Sequence, residues 1–367
     1  MSTDASTVTA ASITPTVTPM SSSSPRRFKV ACIQMTSGED MAANIIACIH
    51  QIRLAAAEGC KFIATPENTG RMTAITQKNN AATTSAAPAT EDTSSSNTSS
   101  ASQPTAAAAT SSAPSAASHP VLVAFAKLAS ELGVWILIGS IAVRIEGETR
   151  VANRSYLIGP KQTKTSMVDI DTTGAAASDT SSSVVSSSIL ASYDKVHMFD
   201  VPTLNGTESY MESSRVIPGS EVTLVSVPAL AAGALIGMTI CYDLRFPHLY
   251  RRMAQAGANM ICIPSAFTVV TGQAHWHTLL RARAIETGAF ILAPAQSTPD
   301  GTTHPGGRTT YGHSLIVGPW GDILADARTA SPTYVTAEID LDQCDEVRRR
   351  IPSLTHDRPF TIVKVEA

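Results

Sequence analysis

Apolar and polar positions along the chain alternate between two periods. Residues 28–35 are apolar and β-branched, which predicts a buried first strand. From 40 to 59 the period lengthens to that of a helix. Ile45, Ile49, Ile52 and Ala56 fall on one predicted face, and Gly59 closes the end. Residues 61–65 form a second short apolar run ending in Pro66-Glu67-Asn68. Strand, helix and strand in that order predict a right-handed crossover in a layered α/β domain. A second helix is predicted from Ser118 and Pro120 to Gly133, with Val121, Phe125, Leu128 and Leu132 on one face. Residues 134–140 predict a strand, and 141–143 with 151–158 a hairpin around Glu146-Gly147-Glu148. Further strands are predicted at 222–227, 234–240, 260–263, 290–293, 311–317, 323–325 and 334–339, with helices at 247–257 and 274–288.

Composition breaks this pattern in three places. Residues 1–27, 79–118 and 160–189 are dominated by Ser, Thr, Ala and Pro. Such segments bury too little apolar surface to offset their ordering entropy. The first reads as a disordered tail. The other two read as inserts on surface loops, where extra length costs little. What remains fits one domain over 28–351, followed by a C-terminal tail at 352–367.

Charge and cysteine usage narrow the function classes. The net charge of -3, with 16% charged residues in 367, offers no basic stripe for nucleic acid. No apolar stretch reaches the length of a membrane span. The start of the chain lacks the apolar core of a secretory signal. The expected compartment is the cytoplasm, with mitochondrial import as the alternative. Six cysteines, at 32, 48, 60, 241, 262 and 344, show no Cys-x-x-Cys pair, which predicts reduced thiols.

The candidate chemistry lies at strand ends. The apolar run 236–240 stops at Cys241-Tyr242-Asp243-Leu244-Arg245-Phe246-Pro247, and Pro247 suits a first helical turn. A thiol at such a corner can act as a nucleophile, with the Tyr242 backbone N–H as a donor to a developing oxyanion. Glu67 and Lys195 also follow apolar strands. A carboxylate could serve as base and a lysine could stabilise an oxyanion, or the two could form a structural ion pair. Arg245 could grip a substrate carboxylate or pair with Asp243. His197 and His248 leave a protease-like Cys–His pairing open. His275 and His277, two apart on a helix, face different sides, which argues against a metal pair. Arg281, Arg283 and Glu286 read as structural charge pairs at helical spacing.

Three segments carry a resemblance: Pro66-Glu67-Asn68, residues 193–200 (Tyr-Asp-Lys-Val-His-Met-Phe-Asp) and Cys241-Tyr242-Asp243-Leu244-Arg245-Phe246-Pro247. Together they resemble the signature segments of the nitrilase superfamily, the carbon–nitrogen hydrolases. The similarity continues through 254–258, 264–267, 274–276, 280–287, 311–314 and 319–321, and spans most of 28–351. It implies an α/β fold, a four-layer α-β-β-α sandwich, and amide hydrolysis through a thioester with no metal or organic cofactor. It further implies Glu67 as general base, Lys195 as oxyanion-stabilising lysine, Cys241 as nucleophile and Glu212 in support. Phe267 and Arg245 become substrate-binding candidates. Members commonly form homodimers or larger homo-oligomers. Within the superfamily, residues 281–287 and 310–317 with Pro319-Trp320-Gly321 most resemble the deaminated-glutathione amidase branch. The ω-amidase branch, acting on α-ketoglutaramate, matches less well. His248 and His277 depart from the pattern, each standing where relatives usually carry Glu. A non-catalytic, partner-binding scaffold is the expectation from a different class.

Overall fold

A computed structural model of the chain describes residues 26–73, 76–78, 114–160, 188–204 and 208–366. Nearly all of the Ser/Thr-rich tail and of the two inserts lies outside the described residues.

The first sheet takes the strand order β16-β1-β2-β4-β5-β6, with β9 alongside β5. Its members are β1 (Arg27–Gln34), β2 (Cys60–Ala64), β4 (Trp135–Arg144), β5 (Val151–Ile158), β6 (Ile189–Asp194), β9 (Val216–Ile217) and β16 (Thr333–Asp340). The second sheet runs β10 (Leu224–Ser226), β11 (Leu235–Met238), β12 (Met260–Cys262), β13 (Phe290–Ala293), β14 (Leu315–Val317) and β15 (Ile323–Asp326). Both sheets mix parallel and antiparallel neighbours. β3 (Thr76–Lys78), β7 (Asp200–Leu204) and β8 (Glu208–Met211) form a small third sheet that the sequence reading lacked.

Alternation along the strands creates the layers. On β1, Phe28, Val30 and Cys32 join the core shared with the second sheet, while Ala31 and Ile33 face the first two helices. Those helices are α1 (Met41–Ala57) and α2 (Pro120–Leu132). The far side of the second sheet is covered by α3 (Pro247–Gln255) and α4 (Val269–Thr287), through Leu249, Tyr250, Met253, Trp276 and Leu280. The result is the expected α-β-β-α stack. A short α5 (Asp342–Arg350), also absent from the sequence reading, has acids in its first turn and arginines in its last, a charge order that favours a helix. No helix among the described residues is long and apolar enough to cross a membrane.

Three expectations shift in register. The buried line of α1 is Asn44, Cys48, Gln51, Ile52 and Ala55, so Ile45, Ile49 and Ala56 flank the core rather than centre on it. Asn44 is drawn inward because its amide bonds Gly38 and Gly70, satisfying a buried polar group. Helix α4 begins five residues before the predicted start. A β-branched run and Gly272 disguised it, since both lower helix propensity. The Thr268 side chain caps it, and Gly272 is required because a Cβ there would come within 2.2 Å of the Tyr311 ring. The strand predicted at 311–317 shrinks to β14, because Gly312 and His313 adopt left-handed backbone angles.

Candidate active site

One cavity of about 230 Å³ opens where the ends of the two sheets meet, and it collects Glu67, Lys195, Glu212, Cys241, Arg245 and Phe267. All six come from the sequence reading, and the structure brings them together.

Glu67 follows β2 in a turn pinned from several sides. Gln296 donates to the Glu67 carbonyl at 2.9 Å, and the Ser140 hydroxyl accepts from the Asn68 N–H at 3.0 Å. Gly139 on β4 crosses so closely that a Cβ there would lie 2.1 Å from the Thr65 carbonyl oxygen. Gly139→Ala should therefore displace the Pro66-Glu67 turn and lower stability by about 1–3 kcal/mol, measurable by urea unfolding. An unchanged midpoint would show that the turn can yield.

Lys195 follows β6 and is buried. Its Nζ donates to Glu67 at 3.0 Å and to both Glu212 oxygens at 2.8 and 2.9 Å. Asn153 donates to Glu67 and Glu212 and closes the network. Glu212 also accepts from the Phe199 N–H at 2.7 Å, which fixes it beyond β8. Burial alone would neutralise these groups. For Glu67, burial pushes the carboxyl up, but the Lys195 charge and hydrogen bonds from Cys241 and Lys195 outweigh it and hold the carboxyl below its usual range. For Lys195, burial disfavours the charge, and Glu212 and Glu67 more than restore it. The ammonium is held well above its ordinary value.

Cys241 opens a short 3-10 turn (Cys241–Arg245) after β11, with its own φ at 50°. A non-glycine residue in that region stores about 1–3 kcal/mol of strain, which surrounding contacts must hold. Its N–H donates to the Pro264 carbonyl at 2.9 Å. Asp243, wholly buried, organises the corner: it accepts from the Ile240 N–H, the Tyr193 hydroxyl and the His197 N–H, and bonds His197 Nδ1 at 2.7 Å. That carboxylate ties the Lys195 segment to the Cys241 turn. Burial first, and Glu67 second, push the Cys241 thiol up, so the resting group is a neutral thiol beside a carboxylate.

The remaining candidates separate. Asp243 is committed elsewhere, so the alternative Asp243–Arg245 pair is not made among the described residues. Arg245 instead lies over the Tyr242 and Phe267 rings, 5.7 and 5.4 Å from their centroids, and reaches His275. His197 stacks on Phe246 at 3.5 Å, with the His248 ring beside it, and neither histidine lines the cavity. The Cys–His pairing therefore fails. Arg283 bonds Glu286 as expected, while Arg281 donates to the Gly321 carbonyl.

Sequence reasoning missed Asn153, His119 and Arg308. Asn153 sits mid-strand with no motif around it. His119 caps α2 within the cavity wall, and burial lowers its pKa to about 4, leaving a neutral ring. Arg308 is nearly buried over the Tyr210 ring and donates to the Ala266 carbonyl, and its Nε has no hydrogen-bond partner among the described residues. It lies in a Gly- and Thr-rich loop whose composition reads only as a turn.

The carbon-nitrogen hydrolase family profile matches residues 29–349. The chain is 32% identical over 332 residues to a deaminated glutathione amidase of Synechocystis sp., covering 90% of this chain and 97% of that protein. It is 35% identical to the human deaminated glutathione amidase over 243 residues, 65% of this chain and 64% of the relative. Among solved structures, the C. elegans NitFhit protein superposes with a TM-score of 0.65 at 28% identity, over 90% of this chain and 65% of that one. Saccharomyces cerevisiae Nit3, a member of branch 10 of the nitrilase superfamily, gives 0.64 at 23% identity, over 91% and 97%. Profile, relatives and layered architecture agree: this chain belongs to the carbon–nitrogen hydrolases of the nitrilase superfamily.

Proposed function

We propose that the protein is a cysteine-dependent amidase that cleaves the C–N bond of a small carboxamide carrying a carboxylate, of the kind found in deaminated glutathione. The observation that carries the chemistry is the buried Glu67–Lys195–Glu212 network sharing one cavity with Cys241. Glu67 takes the thiol proton as Sγ attacks the amide carbon. The oxyanion is held by a Lys195 N–H and the Tyr242 backbone N–H. Glu67 returns its proton to the nitrogen, the C–N bond breaks, and ammonia leaves a thioester. Glu67 then takes a proton from water, hydroxide adds to the thioester carbon, and the released thiolate recovers that proton. The products are a carboxylate and ammonium. Glu212 positions Lys195 throughout.

The substrate reading rests on Arg245 and Arg308 in the cavity wall and on the names of the relatives. Guanidinium groups suit planar, two-point recognition of carboxylates. Ammonia release should be screened with deaminated glutathione, α-ketoglutaramate, acetamide and a nitrile. Deaminated glutathione should give the highest kcat/KM. A higher value for α-ketoglutaramate would move the protein to the ω-amidase reading, and no hydrolysis of any would overturn the amidase reading. Arg245→Gln should raise KM for deaminated glutathione by about 10–100-fold, the worth of a charged hydrogen bond, while leaving acetamide hydrolysis nearly unchanged.

The pH profile follows from the same network. Glu67 must be ionised to act as base, and its pKa is depressed. Lys195 must be charged, and its pKa is raised. kcat/KM should therefore stay flat between about pH 5 and pH 9, inside the ordinary carboxylate and lysine values. An acid limb centred near neutrality would assign the base to another group.

A further inference from the structure

Away from the cavity, His277 on α4, His313 before β14 and Asp326 at the end of β15 turn their ligating atoms toward one point, all within 4.8 Å of one another. His277 Nε2 lies 3.4 Å from Asp326 Oδ2, and His313 Nδ1 lies 3.0 and 3.1 Å from the two Asp326 oxygens. The two imidazole rings stand at 73° with centroids 4.9 Å apart. The expectation of no histidine metal pair concerned His275 and His277. The structure gives His277 a different neighbour, brought from a distant part of the chain.

We propose that His277, His313 and Asp326 bind a zinc-class divalent cation, with water completing the coordination. Two imidazoles and one carboxylate match the donor preference of zinc and its neighbours rather than of calcium or magnesium, which favour oxygen cages. In a tetrahedral site with bonds of about 2.0–2.1 Å, donors stand about 3.3 Å apart, so the cluster needs only small side-chain rotations. The donors are also oriented from behind. The Arg328 N–H bonds Asp326 Oδ1 at 2.7 Å, leaving Oδ2 facing both rings. The His313 ring stacks on Tyr311 at 4.3 Å. The His313 backbone is held by Trp276 Nε1, which donates to its carbonyl at 2.8 Å, and by its own N–H bond to the Arg328 carbonyl. Such supporting bonds fix the ring and carboxylate positions of metal sites. The three side chains keep between 19% and 31% of their surface exposed, enough for an ion to enter and for water to complete its shell. A bound cation would join α4 to β15 and, through Trp276 and the Phe267 ring 4.8 Å from it, brace the cavity wall.

The test is zinc binding by the full-length protein after chelator treatment, followed by equilibrium dialysis and cobalt substitution. The wild type should take up about one equivalent, and the cobalt spectrum should show nitrogen and oxygen ligation without a thiolate charge-transfer band, excluding Cys241 and the other thiols. His277→Gln combined with His313→Gln should abolish this uptake, with an unchanged circular dichroism spectrum. If the double variant fails to fold, His277→Gln alone should weaken binding by at least about tenfold, the usual cost of a lost ligand or its support. No uptake by the wild type, undiminished uptake by the variants, or a thiolate band would each overturn the site.

Discussion

Cys241→Ala lowers ammonia release by at least about 10⁴-fold, the scale on which removal of a nucleophile is felt in hydrolases that act as a unit. The fold should survive, because the substitution deletes one sulfur at the cavity edge and alanine meets the same backbone angle at φ 50°. Near-UV circular dichroism and the urea midpoint check the second expectation, and an ammonia assay checks the first. Retention of more than a few per cent of the rate, referred to the same scale, would remove Cys241 from the mechanism. Iodoacetamide gives an independent reading. All six cysteines are buried, but only Cys241 lines the cavity, at 8% exposed against 0–1% for the others. Alkylation should reach it first, and saturating substrate should protect it.

Lys195→Met has two large effects that separate by pH. Removing one partner from a buried ion network leaves uncompensated charge, at a cost of about 3–5 kcal/mol. Here two carboxylates, Glu67 and Glu212, lose the ammonium they share. A buried carboxylate without its counter-charge is harder to ionise folded than unfolded, so the penalty is fully present above the raised folded value and fades as pH falls from there to the unfolded one. Urea unfolding should show the gap from wild type closing between neutral pH and about pH 4–5, near ordinary carboxylate values. Activity should fall by about 10²–10³-fold even where the variant is folded, because an oxyanion donor has gone. A stability loss that does not change with pH would mean that packing of the lysine stem, not its charge, holds the site.

What was legible in the sequence follows from what each signal encodes. Local chemistry at strand ends is written in consecutive residues, so Glu67, Lys195 and Cys241 could be picked out before any geometry was known. The apolar runs of β1 and β2 and the glycine stop after α2 are equally local. The misreadings arose where distant groups decide the outcome. Asn44 is buried because two loop carbonyls need a donor, and the α1 stripe turns accordingly. Gly272 looks like a helix breaker until the Tyr311 ring is placed against it. Asn153 sits mid-strand between Ala152 and Arg154, and only the arrival of Glu67 and Glu212 from elsewhere gives it a role. Arg308 carries no motif, and its importance comes from the cavity it lines.

The two halves of the site belong to different sheets: Glu67, Asn153 and Lys195 follow or lie in the first, while Cys241 follows the second. A chain in which only one sheet has formed therefore holds either a base without a nucleophile or a nucleophile without a base. In such a chain Cys241 has neither the Glu67 carboxylate beside it as base nor the Lys195 ammonium to hold an oxyanion, so it does not turn over amides. Reactivity is switched on by the last docking step of folding, and turnover during refolding should appear no earlier than native sheet-to-sheet packing.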